Sequence, residues 1–303
     1  MTKPILINGV IKRFKKKIYI SSDKSLSIRF AILASMATGK SKAYNLLKSE
    51  DVMSTLSSLK KLGVKIKLTK KYCTINGRGL NGYVFKDNVT INAGNSGTTA
   101  RLISSTLIKS PKKIKIIGDK SLSKRDMQRV IDPLKKFGVT FYPKNKKTLP
   151  LYVRGTQIVK PINYMELKGS AQCKSAVMLA ALSATGTTKL KCKPSRNHTE
   201  LLFKYLKIPI KIVKKKKFDH IEVKGGKNFN SFNYNLPGDI SSSAFFIVLT
   251  LLSKKSNLLI KNININPSRT GVISILNLMG AKIKLKNKKE YKGEKIADII
   301  VKS

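Results

Sequence analysis

A unit of roughly 70 residues recurs four times along this chain of 303 residues. Each copy opens with a short turn, continues into an apolar stretch and a β-like segment, and then enters a second amphipathic stretch. The opening turns are Asp23-Lys24-Ser25, Asn95-Ser96-Gly97-Thr98, Gly169-Ser170-Ala171-Gln172 and Gly238-Asp239-Ile240-Ser241. The second stretches run from Glu50-Asp51-Val52 to Gly63-Val64, from Arg125-Asp126-Met127 to Gly138-Val139, from His198-Thr199-Glu200 to Ile208, and from Arg269-Thr270-Gly271 to Gly280-Ala281. A strip of sheet with two helices cannot bury its own apolar faces. Repeated units must therefore pack around a shared core, and the chain must be α/β.

Local pattern sets the order of elements. Residues 5–20 read as two short strands around Asn8-Gly9. Apolar positions at 26, 28, 30, 32 and 33 make a helix over 25–36 with a broad apolar face, ended at Thr38-Gly39. A strand is expected near 43–47, a helix over 49–62 closed by Gly63, and a hairpin near 65–75, with Asn76-Gly77 as a turn. This βαβαββ order is expected again from Val89, Tyr164 and Tyr234. The polar stretch Asn228–Asn235 marks a domain boundary before Leu236. Ala244–Leu252 reads as a buried helix. It falls short of the roughly 20 residues that cross a bilayer, and Met1-Thr2-Lys3-Pro4 carries no secretory signature.

The net charge is +47, but only nine of the 62 basic residues are arginine. The lysine excess goes with abundant Ile and Asn, a composition bias that leaves tracts such as Lys214–Lys217 as solvated loops. The arginines carry more information. Arg29, Arg101, Arg125, Arg196 and Arg269 all sit in the opening turns or at the starts of second helices. Guanidinium forms bidentate bonds to phosphate and carboxylate that ammonium does not reproduce. With Cys73, Cys173 and Cys192 scattered and two histidines in all, neither a disulfide framework nor a zinc site is expected. Nucleic-acid binding has only the charge in its favour, without Trp, aromatic–basic interleaving or a known motif.

Five constellations carry candidate chemistry, and each also has a plain structural reading. Lys24, Ser25 and Arg29 cross a helix start, where backbone amides and the dipole favour an anion; the alternative is a capped helix with solvated cations. Gly97 would let a ligand approach the backbone, or it simply opens a turn. Arg125 is a carboxylate clamp or a surface arginine. Ser170, Gln172 and Lys174 open an apolar helix and can face a ligand, with Cys173 as a small packing residue. Arg196 can bind an anion while His198 and Glu200 cap the following helix. Thr38-Gly39-Lys40-Ser41 mimics the end of a phosphate-binding loop, but Ala34 occupies the position where that loop needs glycine.

In this order, DKSLSIR, NSGTTARL, GDKSLSKRDM, SAQCKSA, SRNHTE, LPGDISSSAFF and NPSRTG resemble the enolpyruvyl transferases of the EPSP synthase family. The UDP-N-acetylglucosamine enolpyruvyl transferases are less similar. The resemblance implies a two-domain enolpyruvyl transferase fold (an inside-out α/β barrel), with residues 1–20 belonging to the second domain, 21–236 forming three units of the first, and 237–303 forming the first unit of an incomplete second. It implies transfer of the enolpyruvyl group of phosphoenolpyruvate to the 5-hydroxyl of shikimate 3-phosphate, in the cytoplasm. The chain is expected to be a monomer needing no metal or cofactor, with no nucleic-acid or membrane partner. Lys24, Ser25, Arg29, Ser170, Ala171, Gln172 and Arg196 are implied to bind shikimate 3-phosphate, and Lys24, Gly97, Arg125 and Gln172 to bind phosphoenolpyruvate.

Two departures from the family pattern create further expectations. Asp126 stands where the family usually has proline, so its carboxylate is expected to pair with Arg125 and weaken that site. The family's proton-transfer motifs do not appear after Gly280, so the chain is expected to be truncated and inactive on its own.

Overall fold

A computed structural model describes residues 11–303. The reading of two strands around Asn8-Gly9 lies partly outside them. The described part of that segment contains one strand, β1 (Lys15–Tyr19). The chain divides into two compact units. Among the described residues, one is Ser22–Leu236, and the other joins Pro237–Ser303 to residues 11–21.

The larger unit begins with α1 (Lys24–Met36), β2 (Thr38–Tyr44), α2 (Glu50–Lys61), β3 (Lys65–Leu68) and β4 (Tyr72–Arg78). The second repeat is β5 (Val89–Asn92), α3 (Gly97–Thr106), β6 (Lys113–Ile117), a 3-10 turn at Leu122–Lys124, α4 (Gln128–Lys136), β7 (Thr140–Tyr142) and β8 (Leu151–Arg154). The third is β9 (Asn163–Glu166), α5 (Ala171–Ala181), β10 (Thr187–Cys192), α6 (His198–Tyr205), β11 (Ile210–Lys214) and β12 (Asp219–Lys224), and β13 (Asn233–Asn235) follows. The smaller unit continues with α7 (Ile240–Leu252), β14 (Asn257–Asn264), α8 (Gly271–Leu278), β15 (Lys282–Tyr291) and β16 (Glu294–Lys302).

These strands form four sheets of four: β13-β2-β4-β3, β5-β6-β8-β7, β9-β10-β12-β11 and β1-β14-β16-β15. In every sheet the first pair is parallel and the other two pairs are antiparallel. The middle two repeats supply their own first strand, joined to its parallel partner through a helix as parallel pairing requires. In the other two sheets the first strands are exchanged. β1 leads into α1, yet it pairs with β14, with Ile18 opposite Ile260. β13 leads toward α7, yet it pairs with β2, with Tyr234 opposite Ala43. The expectation that Tyr234 opens the fourth repeat is therefore wrong. Chain adjacency usually predicts neighbours, but a three-residue edge strand has little local preference, and Tyr234 gains a buried position by closing the first sheet.

Two local expectations also change. The strand after α1 is Thr38–Tyr44, not 43–47, and it contains the segment that mimics a phosphate loop. The first hairpin turns at Thr69–Tyr72, where the Thr69 amide donates to the Tyr72 carbonyl (2.8 Å) and the Tyr72 amide donates to Thr69 Oγ1 (3.0 Å). Asn76-Gly77 lies inside β4 instead. Gly77 is there because a Cβ would stand 2.0 Å from the Ala37 carbonyl oxygen at the end of α1. Gly155 and Gly225 repeat the contact in the next two repeats, with Cβ positions 2.5 Å from the Ile108 oxygen and 2.0 Å from the Ala181 oxygen.

The core of the larger unit is built on α1, α3 and α5. Every residue of α1 from Leu26 to Met36 is buried, and α5 is buried from Cys173 to Ala181. Helices α1 and α3, and α3 and α5, lie side by side. In the smaller unit Ile240, Ile247, Leu258, Ile260, Ile263, Ile273, Ile299 and Val301 form one apolar cluster. α7 buries only Ile240, Ser243, Ile247 and Thr250. Phe245 is 79% exposed and Leu252 81%, so the helix expected to be buried is buried on one face alone.

Candidate active site

The repeated opening turns are helix caps. Asp23 Oδ1 accepts from the Leu26 amide at 2.9 Å, Ser96 Oγ from the Thr99 amide at 3.2 Å, and Ser170 Oγ from the Cys173 amide at 3.3 Å. Each cap stabilises its helix by about 1 kcal/mol and leaves other first-turn amides free to meet an anion. Side chains then link these helix starts. Gln172 Nε2 donates to Thr98 Oγ1 (2.8 Å), and Gln172 Oε1 accepts from Arg101 Nη1 (2.6 Å), tying α5 to α3. Thr55 and Thr99 hydroxyls meet at 2.6 Å, tying α2 to α3. Arg29 Nη2 donates to Ser175 Oγ (2.9 Å) and Nε to Thr199 Oγ1 (2.8 Å), tying α1 to α5 and α6. The N-terminal ends of these helices therefore converge within the larger unit.

Around that convergence, Lys24 is exposed on the first turn of α1, 3.4 Å from Asp51 at the start of α2. Ser25 is half-buried beside it, and its carbonyl accepts from Arg29 Nη1 (3.1 Å). Arg29 itself is buried. Gly97 is the first residue of α3. A Cβ there would meet Arg101 Nη1 at 2.7 Å, so glycine leaves room for the arginine to fold back over the helix start. Ser170, Ala171 and Gln172 form the half-buried opening of α5, and Arg196 is exposed in the loop before α6. Arg125 is not on a helix. It sits in extended backbone between the 3-10 turn and α4, and its Nη2 donates to Asn95 Oδ1 at 3.0 Å. Asn95 Nδ2 in turn donates to Asp119 Oδ2 (2.7 Å). The Leu122 amide, then Asn95, hold the Asp119 carboxyl below its ordinary value, with a smaller contribution from Arg125.

Asp126 does not pair with Arg125. Its Oδ1 accepts from the Gln128 amide (2.7 Å), where it starts α4, and its carbonyl accepts from Arg101 Nη2 (2.9 Å). Glu200 does not cap α6 either; its carboxylate meets the Lys174 ammonium at 2.6 Å. The three cysteines are free and buried. Burial pushes the Cys73 thiol up to about 11 and those of Cys173 and Cys192 up to about 12, so at neutral pH none is a thiolate nucleophile.

Arg101 and Arg129 have structural prominence beyond the expected site residues. Arg101 is buried, and desolvation lowers its pKa, helped by the like charges of Arg129 and Arg125 and opposed by Asp126. The Nε atoms of Arg101 and Arg129 are both buried without a hydrogen-bond partner. Unspent donors and clustered like charges are costly unless an anion completes them. Arg101 was legible as an arginine at a helix start. Its bond to Gln172 was not, because the two are 71 positions apart. A groove of about 500 Å³ elsewhere in the unit, between Tyr205–Pro209 and Lys227–Phe232, shares no residue with this cluster.

The family model for EPSP synthase (3-phosphoshikimate 1-carboxyvinyltransferase) matches residues 9–302. The chain belongs to the EPSP synthase family. It is 42% identical over 291 residues to a 3-phosphoshikimate 1-carboxyvinyltransferase of Petrotoga mobilis, an alignment covering 95% of this chain and 66% of that protein. Identity to the corresponding protein of Ruthia magnifica is 43% over 285 residues, covering 94% and 64%. A solved EPSP synthase structure from Acinetobacter baumannii superposes with a TM-score of 0.86 at 35% identity, covering 96% of this chain and 65% of that one. The chain thus spans about two thirds of the length of these relatives. The expectation that it is inactive on its own receives no support from these matches. The fold class is that of the EPSP synthases: mixed α/β, with four mixed sheets and helices between their strands.

Proposed function

We propose that this chain transfers the enolpyruvyl group of phosphoenolpyruvate to the 5-hydroxyl of shikimate 3-phosphate, by addition and then loss of phosphate. The observation that carries the reading is the convergence of helix starts on Gln172, with Arg101, Arg125, Arg29 and Lys24 around it. Two phosphates and two carboxylates need such a lining, and preorganised amides and guanidinium groups in a partly desolvated site stabilise anionic transition states. In this reading Lys24, Ser25, Arg29, Ser170, Ala171, Gln172 and Arg196 hold shikimate 3-phosphate. Lys24, Gly97, Arg125 and Gln172 hold phosphoenolpyruvate. Ser22–Leu236 is the first domain and the smaller unit belongs to a second. The partners are these two small molecules, and the protein works as a monomer in the cytoplasm. No helix among the described residues is long and apolar enough to cross a membrane.

The test is a coupled phosphate-release assay on the purified chain with calorimetric titration of shikimate 3-phosphate. Phosphate release that requires both substrates is the expected result. No release and no binding of shikimate 3-phosphate would refute the reading.

A further inference from the structure

Among the described residues, Lys174 is the only lysine that is buried, and its side chain is fully so. It lies in the first turn of α5, and its ammonium meets Glu200 Oε1 at 2.6 Å and the Ser195 carbonyl oxygen at 3.3 Å. Glu200 is buried in the first turn of α6. The pair is not optimised as a stabilising contact. Glu200 Oε2 and Ser195 Oγ are both buried without a partner. A buried ion pair left with unsatisfied atoms contributes no more to stability than an apolar pair of similar volume. What the pair does is geometric. It clips the peptide that precedes Arg196 to the helix whose opening turn is Ser170-Ala171-Gln172, while Arg29, Ser175 and Thr199 tie the adjoining turns of α1, α5 and α6 together.

We propose that Lys174 and Glu200 are positioning residues for Arg196: the buried ammonium holds the Ser195 carbonyl and so aims the following guanidinium at the anion bound by the opening turn of α5. This rests on the reading of that turn as the shikimate 3-phosphate site. The pair touches no substrate and acts through Arg196 alone.

The decisive variant replaces the whole pair, Lys174→Met with Glu200→Leu, because an apolar swap preserves packing and folding where breaking one partner would strand a buried charge. Calorimetric titration with shikimate 3-phosphate, alongside thermal melting, compares the wild type, this variant, Arg196→Ala, and the three substitutions combined. The expected result is at least tenfold weaker binding in the apolar-pair variant at a melting temperature within a few degrees of wild type. The combined variant should be no weaker than Arg196→Ala alone, the non-additivity expected of residues that act through one another. In turnover assays the KM for shikimate 3-phosphate rises while that for phosphoenolpyruvate stays put. Wild-type affinity in the folded apolar-pair variant overturns the proposal, as do independent, multiplying effects of the pair and Arg196. If the wild type itself fails to bind shikimate 3-phosphate, the functional reading falls and this proposal with it.

Discussion

Gly97→Ala tests the site at its tightest point. The backbone at Gly97 opens a regular helix, so alanine costs nothing conformationally. The new methyl, however, would stand 2.7 Å from Arg101 Nη1, several tenths of an ångström inside ordinary contact. The neighbour that must give way is the end of a flexible side chain, so the fold survives and the guanidinium moves. That movement breaks or lengthens the 2.6 Å bond to Gln172 Oε1. A hydrogen bond to a charged group contributes about 1.5–3 kcal/mol, or roughly ten- to a hundredfold in affinity, if Gln172 must be held to grip the ligand. The assay is titration of phosphoenolpyruvate in the presence of saturating shikimate 3-phosphate, with thermal melting as the control. We expect phosphoenolpyruvate affinity to fall by that factor while the melting temperature changes little. Unchanged affinity would refute the role given to the Arg101–Gln172 contact. A large loss of stability would show that the arginine cannot move aside.

Three further outcomes follow from other parts of the molecule. Gly77→Ala places a methyl 2.0 Å from a helix-terminal carbonyl, where backbone rather than side chain must yield; a loss of about 1–3 kcal/mol or more should appear in urea unfolding, and a stability equal to wild type would contradict the packing described. The Asp298 carboxyl is destabilised as an anion by burial, yet Lys261, the Asn262 amide and Asn287 together hold its pKa below the ordinary value. A depressed folded-state value means stabilisation that is complete above the unfolded value of about 4 and is lost as pH falls through the folded value; Asp298→Asn should lower stability at pH 7 and flatten the acid loss, and an unchanged pH profile counts against it. Phe245→Lys with Leu252→Lys, both on the exposed face of α7, should leave unfolding within about 0.5 kcal/mol per site while reducing binding of a hydrophobic dye; a stability loss of several kcal/mol would mean that face is buried.

Much of the site was readable because its elements are local. Asp23, Ser96 and Ser170 announce helix starts through cap chemistry, and the arginines stand out in a lysine-rich chain. The readings that failed turned on partners that local pattern alone does not select. Asn76-Gly77 looks like a turn on local rules, yet Gly77 answers to the end of α1. Asp126 looks like a partner for Arg125, yet its carboxylate finds the Gln128 amide and its carbonyl finds Arg101. Glu200 looks like a helix cap, yet a buried lysine 26 positions earlier claims it.

By itself the sequence determined the repeated unit, its caps and the arginines at the turns, because capping, periodicity and residue type act within a few positions. Only the tertiary structure decided which strand completes which sheet. β1 and β13 are short edges with no local partner, and each is placed by pairing with a strand about 190 to 240 residues away in the chain. The same is true of the bonds that bring Gln172 to Arg101 and Lys174 to Glu200, since their energy depends on burial and on geometry that no stretch of chain possesses before it packs.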